Sequence, residues 1–188
     1  IKDAPILLML GAMLFLYSGH ALVFFFLDGY GRSMEIADTG FFLTLSTMGE
    51  IGVRLLAGAR FDRMEKPRLL VPTMILLAVA FAALAHVPGR MSFFALGLIL
   101  GLGWGVAMPV FNGLIFDISR PRTRAFNINL GLQMFQGGFF LGPFIGGPVV
   151  DRYGFPPIFY LCALFSLVSA GLIGLAGDRI RRGAGKAG

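Results

Sequence analysis

Charge is scarce in this chain. Only 14% of its 188 residues are Asp, Glu, Lys or Arg, against about 25% in an ordinary soluble domain. Cysteine occurs once, at Cys162, which excludes an internal disulfide framework and a cysteine-built metal cage. Histidine occurs twice, and neither residue belongs to an H-E-x-x-H zinc motif. No Walker A run is present, so nothing in the chain is built to cradle the phosphates of ATP.

What fills the chain is apolar. Hydrophobic residues make up 56%, mean hydropathy is +0.79, and glycine (27) and phenylalanine (20) are frequent. The apolar residues are segregated into runs at 5–27, 39–58, 69–87, 92–116, 126–150 and 157–177. Each approaches the length of about 20 residues that crosses a hydrocarbon layer as a helix. The expected fold is therefore all-α and integral to a membrane. A six-helix bundle over 1–177 is followed by a basic cytoplasmic tail over 178–188, which is expected to be disordered. Short loops make successive helices antiparallel neighbours. Glycine within such helices lets backbones approach closely.

The net charge of +6 does not read as a nucleic-acid surface, because the cations alternate by loop. Lys2, then Arg60, Arg63, Lys66 and Arg68, then Arg120, Arg122 and Arg124, then Arg179, Arg181, Arg182 and Lys186 put 12 on one side. Arg32, Arg90 and Arg152 put 3 on the other. This asymmetry predicts a multi-pass protein of the cell (inner) membrane with both termini cytoplasmic. Membrane lipid is an expected partner, because the basic loops would lie against anionic head groups. The first apolar run is too long for a signal peptide, and no small-residue cleavage site follows it. A chain that starts at Ile1 is expected to begin within a longer protein.

Ser46, Glu50, Arg54, Gly58 and Asp62 are each four residues apart, which aligns them along one gently drifting helical stripe. Two of them are charged and fall inside a span, where charge is costly and is seldom left facing lipid. Glu50 lies roughly 12 Å inward of Gly58 at about 1.5 Å per residue, close to mid-membrane. One reading is a structural ion pair that neutralises itself. The other is a protonatable Glu50 whose affinity for a proton rises when Arg54 moves away. His20 is a further possible proton carrier, or only a hydrogen-bonding group between helices.

Gly58-x-x-x-Asp62-Arg63 closes the second run, and Gly147-x-x-x-Asp151-Arg152 closes the fifth, 89 residues later. On the topology above the copies lie on opposite sides. That predicts an inverted repeat of three helices plus three, a signature of secondary transporters.

The segment carrying Gly58, Asp62, Arg63, Lys66 and Arg68 resembles the loop signature of the major facilitator superfamily, roughly G-x-x-x-D-R-x-G-R-R. Glu65 stands where that pattern has its second glycine. Gly138, Gly142, Pro143, Gly146 and Gly147 reproduce the G-x-x-x-G-P-x-x-G-G motif of drug/proton antiporters in that superfamily. In the family this motif belongs to the fifth helix of the first half. Either this chain is that half, or the motif recurs at the equivalent eleventh helix. The second half is favoured. Gly101 to Gly105, Pro109 and the Arg120–Ala125 loop resemble the tenth helix and its loop, and 39–58 resembles the eighth.

The resemblance implies half of a twelve-helix secondary transporter that moves a small-molecule substrate by alternating access. It also implies coupling to protons, drug-antiporter-like or sugar-efflux-like character, and a missing N-terminal six-helix half as partner. Asp62 would then be the acceptor of a cytoplasmic charge cluster that gates the pathway. Glycines four apart with Pro143 would form a packing face with a kink, or ordinary close packing. First and fourth helices would line the cavity, and third and sixth would face lipid. Tyr17, Phe24, Trp104, Asn112, Gln133 and Gln136 are the substrate-cavity candidates. No cofactor, metal, nucleic acid or enzymatic activity is expected. The alternative is a membrane sensor or assembly scaffold that keeps the fold without transporting.

Overall fold

The computed structural model describes residues 4–61 and 64–184, with side chains except at 59, 60 and 181–184. All regular structure among the described residues is helical: α1 (Ala4–Ser33), α2 (Gly40–Phe61), α3 (Lys66–Leu84), α4 (Arg90–Ile118), α5 (Arg124–Tyr153) and α6 (Pro156–Ala184). Local chemistry marks several ends. Pro67 sits in the first turn of α3, where its missing N–H costs no hydrogen bond. Gly154 closes α5 at φ +78°, and its N–H donates to the Val150 carbonyl at 2.9 Å.

The helix ends differ from the expected spans by a few residues, and the two largest differences are these. The first helix continues through Ser33 rather than ending at 27, held by an Asp28–Arg32 pair at 2.6 Å. Thr39, just before α2, donates to the same carboxylate. The stretch from 178, expected as a disordered tail, is helical to Ala184. Arg179 favours that outcome, because a cation suits the last turns of a helix. Residues 185–188 lie outside the described residues.

Among the described residues, five helices are long and apolar enough to cross a membrane, and α5 is not apolar enough to join them. The reason is compositional. Asn127, Asn129, Gln133 and Gln136 share α5 with many glycines. Of the six spans expected from sequence, four are strongly apolar, α2 is less so, and α5 is the most polar in character.

α1 packs against α5 and α6, α2 against α4, and α3 against α4 and α6. Two seams are cut by glycine. On α4, Gly97, Gly101 and Gly105 face Phe42, Ser46 and Glu50 of α2. A Cβ at Gly105 would stand 2.9 Å from the Glu50 Cα, and one at Gly101 would collide with the Ser46 backbone. On α5, Gly138, Gly142 and Gly146 face Tyr17, Ala21 and Leu22 of α1 in the same way. Such contacts replace the hydrophobic drive that lipid cannot supply between helices. Trp104, Phe42, Phe81, Phe93 and Phe111 fill the core, all at 1% exposure or less. Hydrogen bonds cross it too: Ser169 Oγ donates to the Ala12 carbonyl at 3.0 Å, and Tyr30 OH to the Leu84 carbonyl at 2.8 Å.

Candidate functional site

Glu50 lies at the centre of α2. It accepts a hydrogen bond from Arg54 Nη2 at 3.1 Å. The glutamate side chain is 18% exposed and the arginine 42%. Gly105 makes this possible by letting the Glu50 backbone lie directly on α4. Arg54 Nη2 also stands 3.6 Å from Met108 Sδ on α4. Its side chain borders a cavity of about 240 Å³ that runs past Gly58 and Pro109 to Lys66. The ion pair thus sits against α4 with one flank open.

One residue along α4 from Gly105, the buried Trp104 ring meets His20 of α1 edge-on, with centroids 4.1 Å apart. From there a layer of rings spreads across α1 and α5. Phe139 touches His20 (5.8 Å) and Phe24 (5.7 Å). Phe135 stacks near Phe139 (4.5 Å) and meets Tyr17 edge-on at 5.2 Å. The fold therefore brings together Tyr17, His20, Phe24 and Trp104 at the level of the Glu50 seam. Phe135 and Phe139 complete the layer and were not singled out from sequence. In a chain with 20 phenylalanines nothing distinguishes these two before the helices are paired.

Within the chain, His20 Nδ1, Trp104 Nε1 and Asn112 Oδ1 are buried without a hydrogen-bond partner. Such groups are uncommon and costly, and here three of them lie on α1 and α4, which meet where His20 touches Trp104. Asn112 is two turns along α4 from Trp104 and outside the aromatic layer. Gln133 and Gln136 are exposed on α5.

The loop-signature residues separate. Lys66, at the start of α3, pairs with Asp117 of α4 at 2.6 Å, and Arg68 pairs with Glu65 at 2.9 Å. Gly58 has open space around it. Asp62 and Arg63 lie outside the described residues. Asp117 was missed by the sequence reading. Its signal was an acid in the last turn of a long apolar helix, where the dipole disfavours it unless a cation is near. In the second motif, Gly138, Gly142 and Gly146 form the α1 seam, Pro143 lies inside α5, and Gly147 has nothing within 4 Å.

Long apolar helices joined by glycine seams, with the described charges in one internal stripe, at the helix ends and in the loops, define a multi-pass membrane protein. The chain belongs to the Major Facilitator Superfamily, whose profile matches residues 5–186. It is 23% identical over 147 residues to the staphylopine export protein of Staphylococcus aureus, covering 76% of this chain and 37% of that one. The multidrug resistance protein MdtH of Aeromonas salmonicida is 29% identical over 121 residues, 64% of this chain and 30% of the relative. The quinolone resistance protein NorA of S. aureus is 26% identical over 154 residues, 79% of this chain and 39% of the relative. The chain thus spans less than two-fifths of the length of these relatives.

Proposed function

We propose that this chain is the C-terminal six-helix half of a secondary transporter of the inner membrane. It moves a small molecule by alternating access, coupled to protons through Glu50. Both termini face the cytoplasm. The observation that carries the reading is the Glu50–Arg54 pair. It sits at mid-helix, half-closed against α4 and level with an aromatic layer that holds unsatisfied polar atoms. A carboxylate whose cation partner can swing away is suited to take up a proton when the helices part. The aromatic rings supply a surface for a lipophilic or planar solute. The three relatives named above are called export or resistance proteins, which favours efflux.

The helix pairing supports an inverted repeat. Exchanging α1 with α4, α2 with α5 and α3 with α6 turns the α1–α5 contact into the α4–α2 contact, and α1–α6 into α4–α3. Around the loop signature the sequence follows the same 89-residue offset, matching Gly49 with Gly138, Gly58 with Gly147, Asp62 with Asp151, Arg63 with Arg152 and Pro67 with Pro156. Gly49 and Gly138 each abut the first helix of the other triplet, and Gly58 and Gly147 each stand in open space.

The test is Glu50→Gln in the full-length protein reconstituted into proteoliposomes, with ethidium as the probe. The wild type accumulates or expels the dye when a pH gradient is imposed. The variant binds the dye but loses gradient-driven movement. A folded variant that moves dye against its gradient with unchanged pH dependence removes Glu50 from the coupling.

A further inference from the structure

Glu50 has to meet water if it is to gain or lose a proton inside a membrane. Arg54 cannot carry that proton, because a guanidinium stays charged at any working pH. The structure holds a space that reaches the pair from one end of the bundle. A cavity of about 240 Å³ is bordered, among the described residues, by Arg54, Gly58 and Phe61 of α2, Lys66 of α3, and Pro109 and Val110 of α4. It extends from Arg54, one turn from Glu50, to the facing ends of α2 and α3 at Phe61 and Lys66. At about 1.5 Å per residue, Glu50 lies roughly 16 Å inward of Phe61.

The lining suits water. Arg54 and Lys66 carry more N–H donors than their contacts with Glu50 and Asp117 use. Pro109, inside α4, has no N–H for the Gly105 carbonyl one turn back. That leaves a backbone acceptor without its helical donor beside the Glu50 seam. No acid borders the space among the described residues. At about 30 Å³ for each water, it holds several. Gly58 keeps it open: a Cβ there would meet nothing within 4 Å.

We propose that this cavity is the aqueous passage by which Glu50 releases its proton to the cytoplasm. Arg54, returning to Glu50, displaces the carboxyl proton onto a water molecule in the passage. That water becomes hydronium and hands the proton on toward bulk solution. Carboxylate and guanidinium remain, so charge balances. The passage rests on the proposed coupling through Glu50 and on the topology that puts this end of α2 in the cytoplasm. The other ionisable groups around the pair are Lys66 of α3 with its partner Asp117 of α4, Tyr17 of α1 within electrostatic reach of Arg54, and His20 of α1 against Trp104.

The test uses full-length protein freed of its native cysteines, in sealed inside-out vesicles, with ethidium as the probe. Val110→Cys puts a thiol on the cavity wall, at a position only 2% exposed. The small, membrane-impermeant reagent sulfonatoethyl methanethiosulfonate labels it from the cytoplasmic face. Ala107→Cys, almost one turn earlier on α4, fully buried and off this cavity, stays unlabelled. Labelling at 110 plugs the passage. Most gradient-driven ethidium movement is lost, ethidium affinity is unchanged, and dithiothreitol restores the rate. Gly58→Leu fills the space without a reagent and has the same effect. Gly52→Leu, also in open space on α2 but off the cavity, moves dye at the wild-type rate. Glu50→Gln separates the two readings. If that variant keeps its coupling, the role of Glu50 and the passage both fall. If it loses coupling, the passage alone is refuted by any of three results: Val110→Cys unlabelled from the cytoplasm, a labelled protein that keeps its rate, or Gly52→Leu as slow as Gly58→Leu.

Discussion

Glu50 and Arg54 were legible as a pair in the sequence, because i, i+4 spacing inside an apolar run leaves a buried acid and a buried base little choice but each other. Their surroundings were not. That Gly105 seats Glu50, and that Met108 stands beside Arg54, depends on how α2 pairs with α4 more than 50 residues away. The Lys66–Asp117 bridge escaped the sequence reading for the same reason. Removing the cation of the mid-helix pair strands a carboxylate. Losing one partner of a fully buried pair costs about 3–5 kcal/mol, and the partial exposure of Arg54 lowers this to about 1–3 kcal/mol. Arg54→Ala should therefore melt clearly below wild type in detergent, and Arg54→Lys, which keeps the charge, should recover much of the loss. Equal melting temperatures for all three proteins would mean that solvent or lipid head groups satisfy Glu50 without Arg54.

At the scale of the helix, glycine placement decides which faces meet. The motif on α5 was visible as glycines four apart, and three of its four glycines form the seam with α1. The matching stripe on α4, Gly97, Gly101 and Gly105, was part of a glycine-rich stretch whose partner could not be named without the fold. The structure separates seam glycines from idle ones. Gly101→Val drives a side chain into the Ser46 backbone, and overpacking of this kind costs about 1–3 kcal/mol. Gly147→Ala meets open space and should stay within about 0.5 kcal/mol of wild type. Melting temperatures of the two variants, measured side by side in one detergent, check this. A Gly101→Val protein as stable as Gly147→Ala would mean that α2 does not lie on α4 as described.

For the whole molecule, the six-helix count was readable from hydropathy because long apolar runs have no other use for their length. The unequal character of the helices was less so. α5 carries amides that make it less apolar than the others, and α2 is the least covered of the five apolar helices, with 17% of its apolar stretch buried against 67% for α1. Side chains such as Leu55 and Leu56 (80% and 86% exposed) and Phe140 and Phe144 (68% and 69%) leave broad apolar faces on these two helices. In the proposed full-length protein the missing half covers part of them. Topology is tested by reporter fusions after Gly188 and within residues 34–38, which should report opposite sides of the membrane. A report of the same side from both would contradict an even number of crossings with cytoplasmic termini.

The proposed alternating access, in which one cavity opens to each side of the membrane in turn, can be tested without knowing the substrate. Gln136 is exposed on α5 at the level of the aromatic layer. A single cysteine placed there, in a full-length protein otherwise freed of cysteine, would be challenged with a membrane-impermeant maleimide added to one face of sealed vesicles and then to the other. The account predicts labelling from both faces, with acid pH shifting the balance and Glu50→Gln abolishing that shift. Labelling from one face only under every condition, or from neither, would contradict alternating access through this bundle.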